Sequence, residues 1–527
     1  MDGRSVRVPV GTTLMEAARL LGITVPSLCF SEGLPHHTSC MVCLVEDLGA
    51  GRLVPSCATP AEEGQKVRTG GERVLTARRR ALELLLSEHA GDCEAPCVRA
   101  CPAGADIPGM ARRLGRGDWS GALAAMLVHL PLAGSLAMVC PAPCERACRR
   151  GHVDSRVAIC SLKRAVAGAG LTGPAPYTPQ PALSTGKSVA VVGAGPAGLS
   201  TAYFLALGGS RCIVIDERSA PGGMLRRALS PERLPGQVLD ADVALLRRLG
   251  VELRLGEAVR PGRSMQEIRE SHDALVLAVG SGERLVELLG QSAAIDPGSG
   301  ATELPGVFAG GNAVRSAPMR MTVRGVAEGR KLARSVLHFL DGRHPSAVRQ
   351  RFDSRRETLR PDDLAFLARE AALRAARSQA ALQAARSWAA RAQISRPAPE
   401  AAEVEASEVE ARRCLDCGCS RRRTCSLRGL ADDMQADGRR FPRDGAAPLE
   451  RARGAGGLSL EPGKCIRCGI CIRIAEKGGD RPGLAFTGRG TDARVSVPFG
   501  GDIGAALPAT AAECVACCPT GALAWDR

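Results

Sequence analysis

The chain has 527 residues, of which 45% are apolar and only 3% aromatic, a length that calls for several cores rather than one. Its formal net charge is +15, yet it lacks the basic stretches with interleaved aromatics on which nucleic-acid bases stack, which argues against a nucleic-acid partner. The N-terminus has no charged-then-apolar run of a secretory signal, so a cytoplasmic location is expected, and the 22 cysteines read as metal ligands rather than disulfides.

In chain order, the pattern predicts a multidomain protein of α+β and α/β class. Residues 1–72 are mixed and turn-rich, and 73–172 are helical. Within the latter, Gly121 to Val139 is apolar but contains His129 and Pro131, and reads as a buried helical pair rather than a membrane span. Residues 186–344 alternate strand and helix. Residues 345–412 are rich in Ala, Arg and Glu and predict helices, one opening at Pro361. A Cys-rich piece, 413–442, and a last domain, 455–527, follow. Pro/Gly stretches at 173–186 and 442–457 read as linkers. Every cysteine but Cys212, which sits in an apolar run and reads as core, falls in a tight group.

The first group is Cys29, Cys40, Cys43 and Cys57. Four thiolates on loops can hold a [2Fe–2S] rhombus, two per iron, whereas a zinc knuckle shows two close pairs and this group has one. The run PSLCF…SCMVCLVED…PSCATP resembles the [2Fe–2S] domain at the start of the large iron–sulfur subunit of respiratory complex I and of related hydrogenases and formate dehydrogenases. The resemblance implies a β-grasp fold. In that family a strand precedes the turn that here falls at Asp2-Gly3, so a truncated or misassigned start is expected.

HAGDCEAPCVRACPAGADIPGM supplies Cys93, Cys97 and Cys101, and VCPAPCERACRRGHVDSRVAIC supplies Cys140, Cys144, Cys148 and Cys160. Together they resemble the helical domain with two [4Fe–4S] clusters shared by the small subunit of glutamate synthase and dihydropyrimidine dehydrogenase. Relatives have one further cysteine ahead of Cys93. Its place can be taken by His89, since imidazole replaces thiolate on iron in some clusters. The resemblance implies Cys93, Cys97 and Cys148 for one cluster, with His89 as the expected fourth ligand. It implies Cys101, Cys140 and Cys144 for the other, where relatives have a non-cysteine side chain at the fourth position and the nearby Cys160 is expected instead. A solvated His89 at a helix end is the plainer alternative.

SVAVVGAGPAGLSTAYFLALGG reads as strand, glycine turn, helix. Gly193 permits the tight turn, Gly195 lets backbone approach a pyrophosphate, and Gly198 lets helix and strand pack; Asp216 ends the next strand, where an acid bonds ribose hydroxyls. With Gly222, Gly223 and the run LPGVFAGGNAV (Gly310, Gly311, Asn312), this resembles the FAD domain of the same glutamate synthase-like flavoproteins. The helix from about Thr322 is expected to aim its amides at the flavin. Those relatives insert a second nucleotide domain for NAD(P)H after the strand that here ends near Gly280. Only a short stretch separates Gly280 from Leu304, so a Rossmann-like FAD domain without its NAD(P)H domain is expected.

RRCLDCGCSRRRTC gives Cys414, Cys417, Cys419 and Cys425, read as one four-thiol site for a [4Fe–4S] cluster or structural zinc. GKCIRCGICIRIAEK and ECVACCPTGAL resemble a two-cluster bacterial ferredoxin that has lost half its ligands. The surviving set is Cys465, Cys468, Cys471 and Cys518, with Cys514 or Cys517 as substitutes. The expected complement is one [2Fe–2S], three to four [4Fe–4S] and one FAD. At roughly two negative charges per thiolate-ligated cluster, it offsets most of the basic excess. As a whole the chain resembles iron–sulfur/FAD electron-transfer subunits. These accompany molybdenum- or tungsten-dependent formate dehydrogenases and aldehyde oxidoreductases, hydrogenases or NADH-oxidising flavoproteins, and ferredoxin is among the expected partners. A self-contained NAD(P)H or quinone oxidoreductase is the alternative.

Overall fold

The structure is a computed structural model that describes residues 1–172, 175–290, 294–314, 321–345, 351–375, 401–441 and 447–526. The chain packs as two compact units made of non-contiguous stretches: Met1–Ala95, Gln350–Ala368 and Cys417–Arg527 in the first, and Pro96–Arg349 and Arg369–Asp416 in the second. Two stretches expected as single segments, 73–172 and 413–442, therefore contribute to both units, which later governs how the thiols group.

In the first unit, Leu44–Asp47 is the centre of an antiparallel sheet between Arg52–Pro55 and Val67–Arg68. The helix Leu14–Leu20 starts at a reciprocal cap, in which Thr13 Oγ1 accepts from Glu16 N and Glu16 accepts from Thr13 N. Its Leu14, Met15 and Ala18 pack on Val45, Val54 and Val67 of the sheet. The helix Glu72–Glu88 buries Leu82 and Leu86 in a second core with Leu458, Leu460, Ile470 and Ile474. That core belongs to a C-terminal lobe in which Leu458–Leu460 pairs antiparallel with Leu523–Trp525 and Ala452–Arg453. The helices Ile470–Gly478 and Ala511–Cys517 pack together beside this sheet.

The second unit holds a five-stranded, wholly parallel sheet in the order Glu252–Leu255, Arg211–Asp216, Ser188–Val192, Ala274–Leu277, Val307–Ala309. The central strands are continuous apolar runs, as burial on both faces requires. Cys212 is buried in one of them, with burial pushing its thiol up to about 12. The expected helical pair appears as Trp119–Leu127 and Ala133–Val139. The first is capped by Asp118, but the second has no cap of its own. Buried Asp242, from the helix Gly236–Arg248, reaches across to accept from Gly134 N (3.0 Å) and Ser135 N (2.8 Å). Tyr203 Oη donates to Leu127 O at 3.1 Å, so these helices and the sheet share one core.

The expectation of helix through 345–412 needs correcting. Pro361–Ala375 does open at its proline and Ala401–Arg412 is helical, but 351–360 is not. Tertiary partners hold 351–360 out of helix: Arg356 pairs with buried Asp363 at 2.8 Å, and Ser354 O accepts from Cys93 N at 3.0 Å. The helix expected over 376–400 lies outside the described residues. No helix among those described is long and apolar enough to cross a membrane.

Candidate thiol sites and a nucleotide cavity

Cys29, Cys40, Cys43 and Cys57 converge. All four are buried, and Cys29 bonds to the side chains of Cys40 and Cys57, as Cys57 does to Cys43. Thiols this close compete for protons. Hydrogen bonds from Cys40 and Cys57 draw the Cys29 thiol down, and the bond from Cys57 draws Cys43 down to about 7, while Cys40 and Cys57 are pushed up. Backbone amides of Ser39, Cys40, Val42 and Cys57 also point at these sulfurs. A buried, amide-lined thiol set fits an anionic thiolate-bound cluster.

Cys101, Cys140, Cys144 and Cys160 converge in the second unit, as expected. Cys160 bonds to Cys140 and Cys144, and Cys101 joins Cys140 and Cys144 in lining a small cavity. Glu145 Oε1 accepts from Cys160 N at 2.6 Å. Sequence reasoning missed Lys163, which lines the same cavity and is only 3% exposed. Burial works against its charge, but the neighbouring thiolate charges outweigh it and hold the ammonium above its ordinary range. A buried lysine pointing at four thiols looks in sequence like any other helical lysine.

Cys465, Cys468, Cys471 and Cys518 line one small cavity in the first unit, with Leu460, Val495 and Leu523 around them. Burial raises Cys465 to about 11 and Cys468 to about 12, and Arg467 N donates to Cys465 Sγ at 3.4 Å. Cys514 is buried but does not line that cavity; its Sγ lies 3.5 Å from Cys471 O and 3.7 Å from Thr510 Oγ1. Cys517 is half-buried and does not line it either.

The remaining thiols divide between the units. Cys97 lies on the helix Pro96–Ala100, and Cys148 lies close enough to Cys414 for its charge to act there; burial raises Cys414 to about 11. In the first unit Cys419 N donates to Cys93 O at 3.1 Å, and Cys425 caps the helix Ser426–Asp433. His89, at the end of Glu72–Glu88, is buried and lines a cavity of about 830 Å³ with Arg351, Arg355, Arg356, Arg360 and Arg439. The run Cys414–Cys425 thus spans two units, and among the described residues no three Cys, His, Asp or Glu side chains close on a point fit for a single metal ion.

One backbone feature recurs. Of eight non-glycine residues with positive φ among those described, four sit between closely spaced cysteines: Met41 (54°), Ala142 (52°), Asp416 (50°) and Arg467 (55°). A left-handed residue there turns successive amides toward one side, the arrangement that makes an anion-binding concavity.

The parallel sheet presents a cavity of about 540 Å³ at the carboxyl ends of its strands, lined by Gly193, Gly195, Asp216, Gly223, Gly311 and Asn312 among others. Gly193 has φ +109°, and a Cβ on it would meet Ala278 O at 2.4 Å; one on Gly198 would meet Gly193 O at 1.8 Å. Gly198, Gly222 (φ +119°) and Gly310 shape the wall rather than line it: Cβ atoms on Gly222 and Gly310 would press on Leu239 and Leu332. The Asp216 carboxylate accepts from Ala194 N (2.6 Å) and Arg218 N (2.9 Å), which fixes it at the mouth. The helix Thr322–Leu340 begins at the cavity, with Thr322 and Gly325 in its wall. A cradle this bare of side chains fits the pyrophosphate of a dinucleotide.

Residues 1–72 match the 2Fe-2S iron-sulfur cluster binding domain. Residues 85–172 match dihydropyrimidine dehydrogenase domain II, a 4Fe-4S cluster domain, and 191–250 match an NAD(P)-binding Rossmann-like domain. These matches show a multidomain α/β chain with iron–sulfur domains and one nucleotide-binding domain. Over 207 residues the chain is 37% identical to the NADP(+)-dependent formate dehydrogenase subunit beta of Moorella thermoacetica, covering 35% of this chain and 29% of that one. Over 204 residues it is 32% identical to the NAD-dependent dihydropyrimidine dehydrogenase subunit PreT of Escherichia coli K12, covering 37% and 49%. A 98-residue stretch is 47% identical to the NADP-reducing hydrogenase subunit HndD of Solidesulfovibrio fructosivorans, covering 18% and 17%. In each case the chain spans less than half the relative's length.

Proposed function

We propose that the chain is the electron-transfer subunit of a multi-subunit redox complex. It passes electrons between a partner catalytic subunit, of formate dehydrogenase, aldehyde oxidoreductase or hydrogenase type, and an acceptor. Iron–sulfur clusters exchange one electron each and FAD one or two; the protein's part is to space and tune them. Cys29, Cys40, Cys43 and Cys57 would hold the [2Fe–2S] cluster. Cys101, Cys140, Cys144 and Cys160 would hold one [4Fe–4S], and Cys465, Cys468, Cys471 and Cys518 another. Gly193, Gly195, Gly223, Asp216 and Asn312 would hold FAD.

One side chain carries this reading. The Arg473 guanidinium donates to Cys29 O at 3.0 Å and to Cys468 O at 3.1 Å, so ligands of two thiol sites share one hydrogen-bond donor. A redox sensor or a structurally stabilised fold needs no such adjacency between sites, whereas a relay does.

The sheet also supports a separate donor for hydride. Hydride transfer holds the nicotinamide about 3–3.5 Å from the flavin and anchors its pyrophosphate on a second turn-helix. Among the described residues the one parallel sheet is that of the cavity, and between its last two strands only the helix Gly282–Leu289 is inserted. The pure chain is therefore expected to exchange electrons with reduced viologen or ferredoxin and to leave NADH and NADPH unoxidised until a nucleotide-binding partner is added. Rapid bleaching of the flavin by NADPH in the pure chain would instead support the self-contained reductase.

A further inference from the structure

We infer that Cys93, Cys419 and Cys425 bind one iron–sulfur cluster of their own in the first unit, separate from any cluster held by Cys97 and Cys148. The inference rests on the iron–sulfur reading above and redraws its ligand sets. A parallel bridge joins Asp92 to Gly418, with Cys93 and Cys419 as the next residues on the two paired segments, and Cys419 N donates to Cys93 O. Gly418 permits this approach: a Cβ there would lie 3.0 Å from Ala95 N. Cys425 lies close enough to feel the charge of Cys419, and its sulfur accepts from Arg428 N at 3.5 Å at the start of an eight-residue helix.

The surroundings fit an anionic group. Ser354 N donates to Cys93 Sγ at 3.4 Å. The guanidinium of Arg428, 5% exposed, acts on Cys93, and the ammonium of Lys464, 4% exposed, feels Cys419. Each cation is also paired with a carboxylate, Arg428 with Glu94 at 2.9 Å and Lys464 with Glu461 at 2.6 Å, and both still act on the thiols. Two hydroxyl oxygens here are buried without a hydrogen-bond partner among the described residues: Ser354, 1% exposed and bonded through its amide to Cys93, and Ser420, next to Cys419. These two hydroxyls are polar atoms beside the thiols with bonding capacity left for a group held there. Three thiols leave one position of a cubane to a non-thiol donor; Ser354, which bonds Cys93 through its amide, and Asp92 and His89 in the segment leading to Cys93 are buried side chains that can supply it. The site also adjoins the C-terminal thiols, because Cys425 Sγ lies 3.7 Å from the carbonyl of Pro519, the residue after Cys518.

The test compares the anaerobically purified full chain with Cys93→Ser, Cys419→Ser, Cys425→Ser and Cys148→Ser by iron content and redox-titrated EPR. The first three should each lose the same signal and about four irons, and Cys148→Ser should lose a different one. Ser354→Ala or His89→Ala should shift the midpoint of the signal lost in Cys93→Ser while iron is retained. If Cys93→Ser loses the signal that Cys148→Ser loses while Cys419→Ser keeps it, the inference is overturned. Should the serine variants not fold, an iron anomalous map of the wild-type protein decides: density joining Cys93 to Cys419 and Cys425 supports the site, and density joining Cys93 to Cys148 refutes it. Wild-type protein without iron would fail the iron–sulfur reading itself, an outcome distinct from either.

Discussion

The first thiol group and the group around Cys93 are built in opposite ways. Cys29, Cys40, Cys43 and Cys57 come from one short stretch that folds back on its own three-stranded sheet, and their sulfurs already bond to one another. Cys93 on one hand and Cys419 and Cys425 on the other come from segments on either side of the nucleotide-binding region; a single strand bridge joins the first to Cys419, and Cys425 lies close enough to feel the charge of Cys419. Spacing along the chain reports a ligand set faithfully when the loop closes on itself. When a set is assembled from distant segments, a compact run such as Cys414–Cys425 can be shared between sites while looking like one.

The largest effect is expected at the self-contained site. Cys43→Ser should abolish the [2Fe–2S] signal, remove about two irons, and loosen the core that Cys43 and Cys57 share with Val45 and Val54. Limited proteolysis should then cut within 1–72. If the domain stays protected, its fold does not depend on the cluster, and the contrast with the assembled site weakens.

Gly198→Ala comes next. A Cβ there would stand 1.8 Å from Gly193 O, which no rotamer relieves, so the turn must open. The variant should be purified without flavin, with its iron retained and a stability loss of several kcal/mol, on the order of other backbone-strain substitutions. Flavin bound at wild-type stoichiometry would mean the nucleotide does not lie on this turn.

Asp242 tests an assembled contact. Burial raises its carboxyl to about 6 against the donated amides of Ser135 and Gly134. A folded-state pKa above the unfolded one gives stability that is fully present below the unfolded carboxylate range and is lost as pH rises through about 6. The stability lost in this way is about 3 kcal/mol. The second unit's resistance to urea should therefore fall mainly between about pH 4 and 6 in the wild type and stay nearly flat in Asp242→Asn. Parallel pH profiles would show that Asp242 remains charged throughout.

The legible part of the molecule follows from these contrasts. The glycine turn at 193–198, the acid at Asp216 and the helical pair within 119–139 were all readable, because each depends on neighbours within a turn or two. The sets Cys101, Cys140, Cys144, Cys160 and Cys465, Cys468, Cys471, Cys518 followed from the resemblance of their motifs to known cluster domains, with Cys160 chosen for its nearness, and the structure brings the thiols of each together. Lys163, Ser354, Arg428 and Arg473 were not. Each acts through a contact made only when separate segments pack, and a lone lysine, serine or arginine carries no periodic or spacing signal. The stretch 351–360 is irregular rather than helical because helix-forming composition yields to the Arg356–Asp363 pair and to the backbone bond with Cys93.

The smallest expected effect is at Arg473. Arg473→Leu removes its donors to Cys29 O and Cys468 O but no ligand. Iron and flavin content should be unchanged, with a loss of about 1–3 kcal/mol seen as a lower Tm, and with slower re-equilibration of electrons between the [2Fe–2S] and C-terminal signals after a reductant pulse. Loss of either cluster would make Arg473 a structural support rather than a link between sites.

The central claim is that one chain carries a set of electron carriers, and a stoichiometric titration addresses it directly. Anaerobically purified chain is reduced stepwise with viologen while iron, zinc, flavin and EPR signals are quantified on the same sample. The account predicts one [2Fe–2S], at least three [4Fe–4S] and one FAD per chain, all reducible without NADPH. Iron near two atoms per chain, or zinc in place of iron at the thiol sites, would contradict it.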